Sequence, residues 1–514
     1  MYIKKILLKN FKKFESLDLD FNKDVNIFVG DNESGKSTIL QAIDLVIRGS
    51  VSRIEEIGIN RLMSSAAVKE FNSSERSYEK LPEIIVELYL SDDLEGITGK
   101  TNSKQLYCSG IRLWCHANDR FSKEIVESLA SGDAEIPYDY YEIKFEKFDG
   151  NPYNRRERIV KSLFVDNSNI GSAYAMNEYV HSIFDASLEP QKQVELKQKY
   201  RSHKDSFVRS ILKDYLLNRE NCSFSLKNST RNNLETDLSI SENGISLEDK
   251  GTGAQCFIKT DLALSKNENT DIVLMEEPEN HLSYTNTLKL IEKIKASTNQ
   301  LFISTHSDLI CTRLDLRKCF LLNSGSEIVT PLQRVSQDTS DFFLKAPDNK
   351  MLQFVLSSKI ILVEGDAEYI LMDKMFNTTI KKTLKESNIG TLSVDGLCFK
   401  RYLDIARILG IKVAVITDND KNIEENITDK YAEYISDTVQ IFADTDNNRY
   451  TFEVCIYGDN KQLCDKLFLP GRKKITVQEY MLSNKADAAF ELAKSADDIT
   501  VPKYIQDALL WISA

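Results

Sequence analysis

The sequence predicts two successive α/β units, the second built on a parallel sheet, and three observations carry that prediction. Short apolar runs ending in glycine or acidic residues recur along the chain, each followed by a helix-like stretch. A polar, proline-containing segment around Asp338 to Lys350 separates two such series. The 514 residues are 42% hydrophobic and 28% charged, the balance of a globular chain with room for more than one core.

Ile3, Ile6 and Leu8, a polar turn, then Leu17, Leu19 and Phe21 predict an antiparallel hairpin. This start lacks a signal peptide's cleavage site and is expected to belong to the fold. Val25 to Val29 reads as a strand running into glycine, and a helix from about Lys36 carries Ile39, Leu40, Ile43 and Val46 on one face. Further strands are predicted at 83–90, 110–115 and 141–145. From Val160 to Asn218 the chain turns helical and charged, which predicts an insertion. Strand and helix alternate again from Ile240 to Leu322. After the polar link, Lys359 to Val363, Ile411 to Ile416 and Thr438 to Phe442 are short apolar strands separated by helices. The expected divisions are 1–159, 160–220 (the insertion), 221–345 and 351–514.

No run approaches the roughly 18 apolar residues of a membrane span. Nine scattered cysteines without a CxxC pair argue against a zinc ribbon or a disulfide framework and suit a cytoplasmic location. A net charge of -12 disfavours general polyanion coating, yet a metal-dependent nucleic-acid enzyme is itself built from carboxylates.

Gly30-Asp-Asn-Glu-Ser-Gly-Lys36-Ser37 fits G-x-x-x-x-G-K-[ST] after a strand and before a helix. Backbone N–H groups would curl around a β-phosphate, Lys36 would meet the β/γ oxygens, and Ser37 would ligate Mg²⁺. Downstream, Asp271-Ile-Val-Leu-Met delivers Glu276 and Glu277 to a strand's C-terminal end. Glu276 could hold a metal's water shell and Glu277 polarise an attacking water. A further strand, Leu301 to Thr305, ends in His306, placed as a γ-phosphate sensor. The bland alternatives are a chance glycine turn, a solvated acidic turn and a structural histidine.

In the second unit, Ile360 to Val363 ends in Glu364-Gly365-Asp366-Ala-Glu368, and Val413 to Ile416 ends in Thr417-Asp418-Asn419-Asp420. In extended geometry Asp418 and Asp420 point the same way. Two neighbouring parallel strands would then focus Glu364, Asp418 and Asp420 on one crevice, whose oxygen-only donors select Mg²⁺ or Mn²⁺.

The first set of motifs resembles the ABC-type ATPase heads of SMC, RecF and OLD (overcoming lysogenisation defect) proteins, over about residues 1–335. That resemblance assigns ATP to Gly30, Asn32, Gly35, Lys36, Ser37 and Thr38, makes Glu276 and Glu277 the Walker B pair and makes His306 the switch histidine. Lys250-Gly251-Thr-Gly253-Ala-Gln255 looks like the signature loop, departing from the LSGGQ of transporters. Such heads complete one another's ATP site, so the resemblance implies a homodimer or higher oligomer, with 160–218 available for dimer contacts or simply surface helices. The second unit resembles a TOPRIM domain over about 355–514, with Gly396 in the connecting segment. The chain thus reads as an ABC-type ATPase head with a helical insertion, followed by a TOPRIM domain; a TOPRIM module fused behind such a head is the arrangement of OLD-family nucleases, including the Gabija nuclease subunit and retron-associated OLD effectors.

Carried over by position, Glu364, Glu368, Asp418, Asp420 and Glu453 are metal ligands. The candidate catalytic lysine is Lys485, with Lys473, Lys474 and Lys494 nearby. The resemblance implies an ATP-regulated, Mg²⁺- or Mn²⁺-dependent DNA endonuclease in bacterial antiphage defence, working alone, with a helicase, or with a reverse transcriptase and its retron DNA. DNA contact is expected from Arg155-Arg156-Glu-Arg158 or Arg472-Lys473-Lys474. The rivals are a RecF-like DNA-repair or end-processing ATPase and a non-cleaving, nucleotide-switched sensor or scaffold.

Overall fold

The computed structural model describes residues 1–91, 94–130, 135–154, 157, 159–168, 172–212, 226–227, 234–265, 270–346, 350–394, 398–469 and 474–514. The chain divides into two compact units, Met1–Leu314 with Lys318–Val329, and Asp315–Arg317 with Thr330–Ala514. Among the described residues, no helix is long and apolar enough to cross a membrane.

The first unit's strands are β1 (Ile3–Phe11), β2 (Phe14–Asp20), β3 (Val25–Gly30), β4 (Ile84–Leu90), β5 (Thr98–Gly99), β6 (Cys108–Ala117), β7 (Tyr141–Lys147), β8 (Ser162–Asp166), β9 (Ser241–Glu242), β10 (Ile245–Ser246), β11 (Ile272–Glu276), β12 (Gln300–Thr305) and β13 (Cys319–Leu322). The predicted hairpin is β1 with β2, which belong to an antiparallel sheet of order β2-β1-β4-β6-β5 in which β7 also pairs with β6. A second sheet sets β13, β3, β12, β11 and β8 side by side and parallel.

Between them runs the helix Lys36–Arg48, whose Ile39, Leu40, Ala42, Ile43, Leu45, Val46 and Ile47 are all buried. Its apolar surface extends beyond one stripe because it packs into a core shared by both sheets. Gln300 stitches them at one edge: its Oε1 accepts from Ile3 N at 2.7 Å, and its Nε2 donates to the carbonyls of Ile3 and Asn22 at 2.8 Å each.

The span predicted to be a helical insertion begins differently. Its first element is β8, an edge strand in register with β11, ahead of the helices Ala173–Ser187 and Pro190–Ser210. Only Leu163 and Val165 are buried in this five-residue strand, too few alternations for periodicity to declare it. Residues 213–218 of that span lie outside the described residues. The polar link also contains structure: the helix Gln337–Lys345 buries Thr339, Ser340 and Phe343 within the second unit.

After β14 (Val329–Pro331), the second unit is ordered around β15 (Lys359–Val363), β16 (Gly390–Ser393), β17 (Lys412–Ile416) and β18 (Val439–Phe442). They form a wholly parallel sheet of order β16-β15-β17-β18. Alternate residues Ile361, Val363, Ala414 and Ile416 enter a core shared with the helices Asp366–Ile380, Lys485–Lys494 and Lys503–Ser513. Adjacent parallel strands β15 and β17 therefore end side by side, at Val363 and Ile416.

Candidate phosphate and metal sites

The loop after β3 adopts the shape a phosphate needs. Gly35 has φ +104, and a Cβ there would meet the Phe14 ring at 2.7 Å, so glycine is required twice over. Lys36 is buried and its Nζ donates to the carbonyls of Gly30 and Asp31 at 2.9 Å each. Burial pushes its ammonium down while the Glu277, Asp31, Glu276 and Glu279 charges oppose that shift. Ser37 Oγ donates to Glu276 Oε1, bringing a hydroxyl and a carboxylate to one point where Mg²⁺ accompanying a nucleotide would find both ligands.

Glu277 leaves the strand in the left-handed region at φ 46, its N–H donating to Ser304 O at 2.9 Å. His306 Nε2 lies 3.5 Å from Glu277 Oε1. Burial, then the charge of Glu279, pushes the Glu277 carboxyl up, while burial and the Lys36 charge push His306 down. Glu279 accepts from Thr305 Oγ1 and keeps a buried Oε2 without a hydrogen-bond partner among the described residues. Asn32 and Ser37 are exposed and Thr38 half-buried at the loop's open side. Gly251 precedes the helix Thr252–Leu264, which contains Gly253 in its first turn.

In the second unit, Glu364 follows β15 and accepts from Thr417 Oγ1 at 3.0 Å and Asp418 N at 3.3 Å. Glu368 is buried one helical turn on, and Glu453 is buried in the first turn of the helix Phe452–Asp459. Asp418 Oδ1 accepts from Phe452 N at 2.7 Å, which draws Asp418 toward Glu453. Lys485 opens its own helix and places Nζ 3.2 Å from Glu453 Oε2. Burial and then the Glu368, Glu364 and Glu453 charges push Asp418 up to about 8. Burial, with Glu453 and Glu364 adding to it, pushes Glu368 up to about 7. Against its own desolvation, Lys485 is held above the ordinary lysine range by Glu453, Asp418 and Glu368.

Buried acids crowded together and answered by one lysine make a site that a divalent cation would stabilise. Glu453 Oε2 is buried, with the Lys485 ammonium beside it. Oxygen-only donors fit Mg²⁺ or Mn²⁺. Among the described residues, no three acidic, histidine or cysteine side chains form a group that could hold a metal ion as they stand.

A hydrogen bond, an ion pair and mutual charge interactions tie Glu364, Glu368, Asp418, Glu453 and Lys485 together, while Asp420 is exposed. The premise of extended geometry fails there. β17 ends at Ile416, and Asp420 is exposed in the left-handed region at φ 48, with Asn419 buried between the two acids. Gly396, the three arginines at 155, 156 and 158, Arg472 and Lys473 lie outside the described residues.

Sequence reasoning missed Asp166, in register beside Glu276, and Thr417, which holds Glu364. It also missed Lys13, whose Nζ binds the carbonyls of Ser34 and Asn323 at 2.9 and 2.5 Å. Asp166 ends an unrecognised strand. The other two act on partners distant in sequence.

A family model described as an AAA ATPase domain matches residues 1–204, and the overcoming lysogenization defect protein-like TOPRIM domain matches residues 355–420. The second match contains Glu364, Glu368, Asp418 and Asp420; Glu453 and Lys485 lie beyond it. The DNA replication and repair protein RecF of Clostridium novyi is 25% identical over 339 residues, 64% of this chain and 92% of that protein. RecF of Clostridium kluyveri is 51% identical over 43 residues, only 8% of this chain and 12% of its own length.

Among solved structures, an SMC head bound to the C-terminal winged-helix domain of ScpA covers 65% of this chain and 100% of its own, at 17% identity and a TM-score of 0.37. The C-terminal region of the Burkholderia pseudomallei OLD protein covers 30% and 97%, at 19% identity and a TM-score of 0.25. Overlaps at that level assign no activity.

Proposed function

We propose that this chain, which joins an AAA ATPase domain to an OLD-like TOPRIM domain, is an ATP-regulated, divalent-metal-dependent DNA endonuclease. The observation that carries the reading is the convergence of Glu364, Glu368, Asp418 and Glu453 with Lys485 beside the ends of parallel strands. Divalent cations bound there would supply an activated water and neutralise the leaving 3′-oxygen.

The protein's own contribution is positional. Glu364 is braced by Thr417 and the Asp418 amide, so the two strand ends present their acids as one unit. Glu368 and Asp418 surrender protons as the crevice fills. Lys485, standing charged at the mouth with its side chain about half exposed (52%), meets the phosphate oxygens on which charge develops. Asp420, exposed beside Asp418, is available to an entering cation.

In the head, Lys36 and the loop amides bind nucleotide, Ser37 and Glu276 hold its Mg²⁺, Glu277 orients water and His306 reads the γ-phosphate. Gly251 and Gly253 would face a second copy's nucleotide, which makes the working unit a homodimer or larger. The cellular setting we propose is cytoplasmic antiphage defence. A plasmid-nicking assay with Mg²⁺ or Mn²⁺ tests the reading: wild type should cut, and Asp418→Ala and Glu364→Ala should not. Full activity in both variants would refute the site. The match to RecF over 64% of the chain favours one second reading, a DNA-repair ATPase. ATP-dependent DNA binding without cleavage under any metal would select it.

A further inference from the structure

Asn419, the residue between the two aspartates, is almost wholly buried, and its side chain is fully engaged. Its Nδ2 donates to Asp444 O at 2.8 Å, Asp446 O at 3.0 Å and Arg449 O at 3.5 Å, while Oδ1 accepts from Lys421 N at 2.9 Å. One amide thus reads the shape of the whole 444–449 loop. The same stretch of chain grips the turn twice more. Asp420 N donates to Tyr450 O at 3.3 Å, and Asp418 Oδ1 accepts from Phe452 N at 2.7 Å.

Local bonds such as Asp446 N to Asp444 Oδ1 and Arg449 N to Asp446 O shape the loop, and the Arg449 side chain ties it to the helix beyond. Its Nε donates to Asp444 Oδ2 at 2.7 Å, at the loop's start. Its Nη1 and Nη2 donate to the two carboxylate oxygens of Asp459 at 2.9 and 2.8 Å, at the far end of the helix that carries Glu453. A planar guanidinium can satisfy two acids in this fork geometry, whereas an ammonium cannot.

Resting on the nuclease reading above, we propose that Arg449 is a positioning residue for the metal crevice. It clasps Asp444 to Asp459, so that the loop holds Asn419 and, through it, the turn carrying Asp418 and Asp420. Asp418 and Glu453 are already joined through the Phe452 amide, and Arg449, which touches neither metal nor substrate, steadies that pairing from the loop. Groups that orient ligands in this way change metal affinity by about ten- to a hundredfold.

The test uses the full chain, metal-free, by hydrogen exchange, followed by Mn²⁺ titration. In Arg449→Gln the amides of Asp420 and Lys421 should exchange at least about tenfold faster than in wild type. Mn²⁺ affinity should fall about tenfold, while ATP binding and the thermal midpoint stay close to wild type. Arg449→Lys should fall between the two, and Asn419→Ala should reproduce the Arg449→Gln result from the other side of the contact. Unchanged exchange in Arg449→Gln overturns the clasp, and so does faster exchange with unchanged Mn²⁺ affinity. Should wild type bind Mn²⁺ no better than Asp418→Ala, the nuclease reading fails, and the exchange rates alone still decide whether Arg449 holds the turn.

Discussion

Replacing Asp418 with Asn and following metal binding against pH probes the crevice at its most strained point. Burial and the neighbouring acids push Asp418 up to about 8 and Glu368 up to about 7. A divalent cation must displace those protons. Ionisation of Asp418 alone should raise apparent Mn²⁺ affinity about fiftyfold between pH 6 and pH 8, and Glu368 should add about tenfold.

The linked stability has a definite sign. Both carboxyls are raised in the fold above their unfolded values, so their contribution is fully present below about pH 4, declines progressively as pH rises, and is gone once pH has passed through 7 to 8. Metal-free protein should lose thermal stability over that window, and saturating Mn²⁺ should give its largest stabilisation near pH 8. Asp418→Asn should bind Mn²⁺ more weakly, with a pH profile flattened to the tenfold left by Glu368. It should also stabilise the metal-free protein at pH 8, by at most about 6 kcal/mol, a ceiling that water entering the crevice lowers. Manganese titration by electron paramagnetic resonance and thermal denaturation at pH 6, 7 and 8 read both effects. An affinity that is flat with pH, or the same slope in wild type and Asp418→Asn, would show that Asp418 gives up no proton to the cation.

Lys36→Ala should weaken ATP binding by about ten- to a hundredfold, the loss of a charge-assisted contact, while Glu277→Gln should bind ATP normally and hydrolyse it slowly. Fluorescent-nucleotide titration and a phosphate-release assay separate the two, and equal affinity in Lys36→Ala and wild type would remove the phosphate-loop assignment. Gly35→Ala should cost about 2 kcal/mol of stability from its left-handed backbone and the Phe14 ring together, and an unchanged denaturation midpoint would contradict the loop's geometry.

The loop after β3 was legible because its pattern is local: Gly35, Lys36 and Ser37 lie within three residues, and the backbone between them would do the proposed binding. Strand ends carrying Glu276, Glu364 and Asp418 were legible for a similar reason, an apolar run ending in an acid. β8 was not, since five residues with two buried side chains carry no clear period. Asp418 and Asp420 were misjudged as a same-side pair because the strand ends two residues before Asp418, and the left-handed turn that follows is dictated by Asn419. The partners of Asn419 come from 25 to 30 residues away. Asp166, Thr417 and Arg449 act through tertiary contacts of the same kind, which no local pattern announces.

If one chain couples a nucleotide-binding head to a metal-dependent nuclease, a nicking time course reads both halves of that coupling at once. Wild type, Lys36→Ala and Asp418→Ala would each be run with Mg²⁺ or Mn²⁺, with and without ATP, alongside ATP turnover. Asp418→Ala should lose cleavage and keep ATP turnover, because its acid belongs to a different sheet from the phosphate loop. Lys36→Ala should lose ATP turnover and cut at a rate no longer sensitive to nucleotide, while wild type responds to it. Cleavage by wild type that ignores nucleotide and equals that of Lys36→Ala would contradict the coupling, and cleavage by Asp418→Ala would contradict the nuclease itself.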